Sequence, residues 1–274
     1  MKTLFKNIFD FYLNASIHVA IATSSLVLST YHFANISIDW NIVSLVFFGT
    51  LISYNFIKYF SIYQHKRKYS IKEKLIILLV FCALLLCVFS FFKLNYKTQI
   101  VTVFFGVLSV FYAIPLNKQA RNLRNISGIK IYIVALCWAG VTLLLPLYQA
   151  EISLSIDVLY KFAQRFLLTL VLILIFEIND LKYDDIRLRT VPQSIGIQRT
   201  KYLIYVLLIP FFVLEFFKQG NYTNQWLVSL ILVSIISLFT YFASPKRNNY
   251  YTLFWVESVP VLWFGLLYLF KMNS

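Results

Sequence analysis

The sequence predicts an all-α polytopic membrane protein of nine spanning helices, and three observations carry that prediction. Hydrophobic residues fill 60% of the 274 positions and charged residues only 13%, about half the roughly 25% charged content of soluble domains. The apolar residues are gathered into repeated runs close to the roughly 20 residues that a helix needs to cross a bilayer. The basic residues, finally, sit in alternate connections between those runs.

Taken in order, the first span is 11–33. It follows Lys2 and Lys6, and no small-residue cleavage site succeeds it, so it reads as a retained helix rather than a signal peptide. The second, 40–63, ends at a loop with Lys66, Arg67, Lys68, Lys72 and Lys74. Spans 74–93 and 99–116 come next, joined by a short connection, and a second basic loop holds Lys118, Arg121, Arg124 and Lys130. Spans 131–149 and 158–178 lead into a third basic loop with Lys182, Arg187, Arg189, Arg199 and Lys201. The shortest span, 202–217, is followed by 224–243, the pair Lys246 and Arg247, and 252–270.

With the amino terminus inside, 18 of the 25 basic residues fall on the inner side. Six, Lys93, Lys97, Lys161, Arg165, Lys218 and Lys271, fall on the outer side, and Lys58 ends the second span. This is the positive-inside distribution. It predicts an integral protein of the bacterial inner membrane with a cytoplasmic amino terminus and an outer carboxyl terminus. The net charge of +14 therefore reports topology and excludes a nucleic-acid partner.

No linker or low-complexity tract divides the chain, so residues 1–274 are expected to form one membrane domain. "YNFIKYFSIY" at the end of the second span and "FEINDLKYDD" at the end of the sixth echo each other, consistent with a pseudo-repeat of helices 1–4 and 5–8. Cys82, Cys87 and Cys137 lie inside apolar spans without metal-ligand spacing and read as small buried hydrophobes. The histidines His18, His32 and His65 are scattered, and seven glycines leave no phosphate-cradling loop.

The polar chemistry concentrates in one place. Of 11 acidic residues, Glu177, Asp180, Asp184 and Asp185 fall within nine positions, at the end of a strongly apolar run. Glu177, Asp180 and Asp184 are spaced three and four apart, which stacks them on one helical face. Carboxylates converging at a helix end suit Mg²⁺, which takes one or two of them together with substrate phosphates. Pairing with Lys182, Arg187 and Arg189 in a solvated loop would account for the same cluster. Glu257 lies about a turn inside the ninth span, where an ionisable group marks function unless it pairs with a nearby lysine or snorkels. Glu215 has Lys218 one turn on and reads as a simple pair.

Asp180 and Asp184, followed by Thr190, Val191 and Pro192 and the closing "IG", resemble the second signature of the UbiA superfamily of intramembrane prenyltransferases. "YAIPLNK", with Tyr112, Pro115 and Lys118, is similar to that family's stretch at the end of helix four. The first signature, usually N-x-x-x-D, is degenerate: Asn55 remains, but Tyr59 and Tyr63 stand where aspartates are normally found. A phenol with a pKa near 10 is a poor Mg²⁺ ligand at neutral pH, and aromatic packing at the membrane interface accounts for both tyrosines.

The resemblance implies nine helices around a central cavity that opens to the cytoplasm. It implies Mg²⁺-dependent transfer of an isoprenoid group from a polyprenyl diphosphate to a lipophilic acceptor. Asp180, Asp184 and Asn55 would then be the catalytic and metal-holding residues, with Lys118, Arg121, Lys58 and Tyr112 on the diphosphate. Asp185, Glu177 and Glu257 would support them. A catalytically inactive lipid-binding relative is the main alternative, motivated by Tyr59. A transporter is a third, opposed by the lack of a Gly- or Pro-broken helix pair at mid-membrane.

Overall fold

The computed structural model describes residues 2–64, 70–113, 128–184, 188–219 and 224–272, and their regular structure is entirely helical. The helices are α1 (Lys2–Asn14), α2 (Ile17–Ala34), α3 (Trp40–Gln64), α4 (Ile71–Phe92), α5 (Tyr96–Ala113) and α6 (Ile129–Gln149). They continue with α7 (Ile156–Asp180), the short α8 (Val191–Ile195), α9 (Ile197–Val213) with a 3₁₀ turn at Leu214–Phe217, and α10 (Gln225–Phe242). A π-helical turn, Tyr251–Val256, precedes α11 (Val259–Met272). Among the described residues, eight helical segments are long and apolar enough to cross a membrane, and α5 is a shorter apolar helix.

The first predicted span is in fact two elements. Ser16 takes a left-handed backbone conformation (φ 59°), which interrupts α-helical bonding and separates α1 from α2. The stretch before it carries exposed Leu4, Phe5 and Ile8 and is not among the spanning segments. α2 crosses alone and is the most enclosed of the candidate spans.

Composition explains why α2 is central. Its buried Ala20, Ala22, Ser24, Ser25 and Ser29 are small, and small residues let helices approach closely where lipid supplies no hydrophobic drive between them. The hydroxyls are satisfied within the helix: Ser24 donates to the Ala20 carbonyl at 2.8 Å and Ser29 to that of Ser25 at 2.8 Å. α2 thereby packs against α3, α6 and α11. α4 lies at the other extreme, with Leu75, Leu78, Phe81, Leu85 and Phe89 exposed, as suits a lipid-facing helix. Cys82 on α4 is also exposed, against the expectation that it is buried, whereas Cys87 and Cys137 are partly buried.

Two charged residues counted on the outer side, within the sixth span, prove to be fully interior. Lys161 and Arg165 lie within α7 and are buried, at 1% and 0% exposure. The Lys161 ammonium sits over the Phe33 and Trp263 rings, 5.3 and 5.0 Å from their centroids. The expected Glu215–Lys218 pair forms at 2.5 Å, and Glu215 also accepts from Gln164 and Ser229, each at 2.8 Å. Burial pulls the Lys218 ammonium below its ordinary pKa, with Glu215 opposing. Asp157 accepts the Gln219 amide at 2.9 Å and closes that end of the helix.

One close approach depends on glycine. A Cβ at Gly140 on α6 would lie 1.9 Å from the tip of the Phe105 ring. Phe105 is on α5 and is itself nearly buried. Gly140→Ala is therefore expected to displace that ring and lower stability by about 1–3 kcal/mol. Thermal unfolding in detergent should show the loss, with partial recovery on adding Phe105→Leu.

Candidate functional site

α7 ends at Asp180, and the chain makes one further helical turn in which the Asp184 amide donates to the Asp180 carbonyl at 3.0 Å. The two aspartates thus stay a turn apart, as the spacing predicts. Glu177, one turn earlier, is buried and held from two sides: Lys130 of α6 reaches one carboxylate oxygen at 2.8 Å, and the Val191 amide donates to the other at 3.0 Å. The Thr-x-Pro stretch has a clear local cause. Thr190 caps α8, its amide donating to the Gln193 side chain at 2.9 Å, and proline is tolerated in a first helical turn because the N–H it lacks would have no partner there. α8 is consequently pinned against the acidic end of α7 by Glu177.

Beneath the aspartates lies a partly open cavity of about 520 Å³ between α2, α3, α5, α6 and α7. Asp180, Asp184, Glu177 and Lys130 line its acidic mouth. Phe105, Trp138, Phe176 and Leu172 are among the groups forming its apolar walls. Glu257 and Tyr112 line it too. Glu257 follows the π-helical turn, its amide bonding back five residues to the Thr252 carbonyl at 3.1 Å. The wider turn changes the facing of the residues after it, a feature found often at functional sites. Asn179 tethers this turn to α7 through the Thr252 hydroxyl at 3.4 Å.

Of the residues singled out in the sequence, the cavity gathers Asp180, Asp184, Glu177, Glu257 and Tyr112. Lys118, Arg121 and Asp185 lie outside the described residues, as does the side chain of Tyr63. Asn55 and Lys58 are placed differently from the expectation. Asn55 is buried, and its amide donates to the carbonyls of Ala15 and Leu51, both at 2.8 Å. Lys58 donates to the Asn14 carbonyl at 3.0 Å, and the Tyr59 hydroxyl to the same oxygen at 3.5 Å. All three serve the α1–α2 corner, where the break at Ser16 strands carbonyl groups that a continuous helix would have used. None of them is among the residues lining the cavity.

Three cavity residues went unnoticed in the sequence. Lys130 was visible only as one more loop cation. Tyr54 and Trp138 resemble any other interfacial aromatics, yet the Trp138 indole N–H donates to the Tyr54 hydroxyl at 3.1 Å across the chamber wall. The Tyr12 phenol on α1 is raised above its ordinary pKa, first by burial and second by the nearby Glu257 carboxyl.

Among the described residues, no three His, Cys, Asp or Glu side chains converge to hold a metal ion. Two aspartates a turn apart at the mouth of a chamber nevertheless fit Mg²⁺, which completes its octahedron with water and substrate phosphate. No protein-family model, curated protein or solved structure matches the chain.

Asn55→Ala should reveal the structural duty of that residue. Removing the amide takes the side-chain donor from the Ala15 carbonyl at the corner, while the Leu51 carbonyl keeps its helical partner, at a cost of about 1–3 kcal/mol. The expected readout is a lowered melting temperature in detergent together with faster proteolysis near Ser16.

Proposed function

We propose that the protein is a membrane-embedded transferase that moves a prenyl group from a polyprenyl diphosphate to a lipophilic acceptor. The observation that carries this reading is the placement of Asp180 and Asp184 together at the mouth of an apolar chamber of about 520 Å³. A diphosphate head and an isoprenoid tail need such a two-part site, hard oxygen ligands above and a water-poor aromatic chamber below. The proposal includes the finer architecture: α5 supplies a ninth span, and the bundle is UbiA-like.

Asp180 and Asp184 would hold Mg²⁺, which when bound neutralises charge on the departing diphosphate. Lys130 supplies fixed positive charge at the same mouth, alongside the basic loop that includes Lys118 and Arg121. Glu177 orients Lys130 and anchors α8. Phe105, Trp138 and Phe176 exclude water from an allylic cation, and aromatic faces favour such a charge. Glu257, which also lines the chamber, would accept the proton that the acceptor loses.

A catalytically inactive lipid-binding protein is the second reading, and a specific observation favours it. Asn55, Lys58 and Tyr59 are all engaged by carbonyls of the α1–α2 corner, so none of these three counterparts of the family's first signature is among the described residues lining the chamber.

Turnover decides between the two. With a labelled prenyl diphosphate and a panel of aromatic and lipid acceptors in proteoliposomes, Asp180→Asn and Asp184→Asn should each lower transfer on the order of 100-fold. Chelating Mg²⁺ should abolish it. Diphosphate binding without transfer by the wild-type protein would establish the second reading, and undiminished transfer by Asp180→Asn would remove the aspartates from the chemistry.

A further inference from the structure

A second concavity lies at the same end of the bundle as the acidic mouth, on the outer surface. It is a shallow groove of about 990 Å³ between the start of α9 and the end of α10. Arg199, Lys201, Lys246 and Arg247 line it, and no acidic side chain is among its described lining residues. A surface so one-sided attracts anions.

Two of the four cations are fixed in place. The Lys201 ammonium donates to the Tyr241 carbonyl at 2.7 Å, and Arg247 Nε donates to the Phe242 carbonyl at 3.1 Å. They therefore cap the C-terminal carbonyls of α10 and keep their remaining N–H groups at the groove. The Arg247 guanidinium is further held over the Phe242 and Tyr251 rings, 5.6 and 5.5 Å from their centroids. Ile197, the first residue of α9, also lines the groove, whereas the Gly196 amide beside it is already bonded to the Pro192 carbonyl at 3.1 Å. The first amides of a helix lack intrahelical acceptors and favour an anion.

The surroundings point to a lipid rather than a dissolved anion. Tyr202 and Tyr241, each 68% exposed, flank the groove on α9 and α10, as interfacial aromatics do. Farther along the same helices, Val206, Ile209 and Leu238 are exposed. Tyr202, Val206 and Ile209 recur at helical spacing, so an apolar strip leads from the charged groove toward the bilayer interior. Charged head above, apolar track below: this is the shape of one phospholipid.

We infer that the groove lined by Arg199, Lys201, Lys246 and Arg247 binds the phosphate-bearing head group of an anionic phospholipid, whose acyl chains lie along α9 and α10. This site is separate from the chamber and independent of the prenyl-transfer reading. The purified full chain in mild detergent is the sample, with phosphatidylglycerol, phosphatidylcholine, inorganic phosphate and pyrophosphate as probes. Native mass spectrometry and thermal unfolding supply the readouts.

Phosphatidylglycerol should be retained and raise the melting temperature, while phosphatidylcholine and the inorganic anions should not. The double variant Arg199→Gln/Lys246→Gln removes two cations but spares those that cap α10. It should bind phosphatidylglycerol on the order of tenfold more weakly, and Lys246→Gln alone should show an intermediate effect if the double variant folds poorly. Equal retention of the two lipids would overturn the inference, as would unchanged affinity in the variants. Stabilisation by inorganic phosphate or pyrophosphate equal to that by phosphatidylglycerol would reassign the groove to a soluble anion.

Discussion

The carbonyl oxygen of Thr142 is the point on which three helices depend. Arg165 Nη1 of α7 and the Thr30 hydroxyl of α2 both donate to it, each at 2.6 Å, so α2, α6 and α7 meet at one acceptor. The oxygen is free for both visitors because the residue one turn on is Pro146, which has no N–H to donate to it, while the Thr142 hydroxyl donates back to the Trp138 carbonyl at 2.7 Å. In a medium without water an unmet donor costs several kcal/mol. The arrangement of these helices is therefore constrained by where a buried guanidinium can find an acceptor, as much as by apolar fit.

The rest of the architecture can be read outward from that junction. Thr142 lines the chamber, so the guanidinium bonded to it stands just behind the chamber wall. Asp180 is fifteen residues further along α7, roughly 22 Å at helical rise. One helix thus carries buried cations toward one end and carboxylates at the other, with an apolar stretch between them that walls the chamber. Lys161, Lys218 and Glu215 close the cationic end through a packed network. At the carboxylate end Glu177 is held by Lys130 and the Val191 amide, and Asp180 and Asp184 line the chamber.

The acidic site was legible because its geometry is local. Glu177, Asp180 and Asp184 are related by helical spacing, and spacing is a property of the chain alone. The Thr190–Pro192 stretch was legible for the same reason, since capping acts within a few residues. The anchoring of Asn55 was not legible because its partner, the Ala15 carbonyl, is 40 positions away and is available only because Ser16 breaks the helix. Lys161 and Arg165 fell within a predicted span near its outer end, where burial and snorkelling to the surface cannot be told apart from the chain alone. Nothing in their neighbours announces that Phe33, Trp263 and Thr142 wait in other helices to receive them.

Two kinds of information divide accordingly. The sequence by itself determined the class, the approximate spans, the clustering of basic residues in alternate loops and the face shared by the acids, because solvation and helical period operate on contiguous residues. Only the tertiary structure decided that α1 and α2 are separate, that Asn55 serves a corner, and that Glu257 shares a chamber with Asp180. Those outcomes depend on which buried polar atoms meet, and each meeting joins positions that no local rule connects.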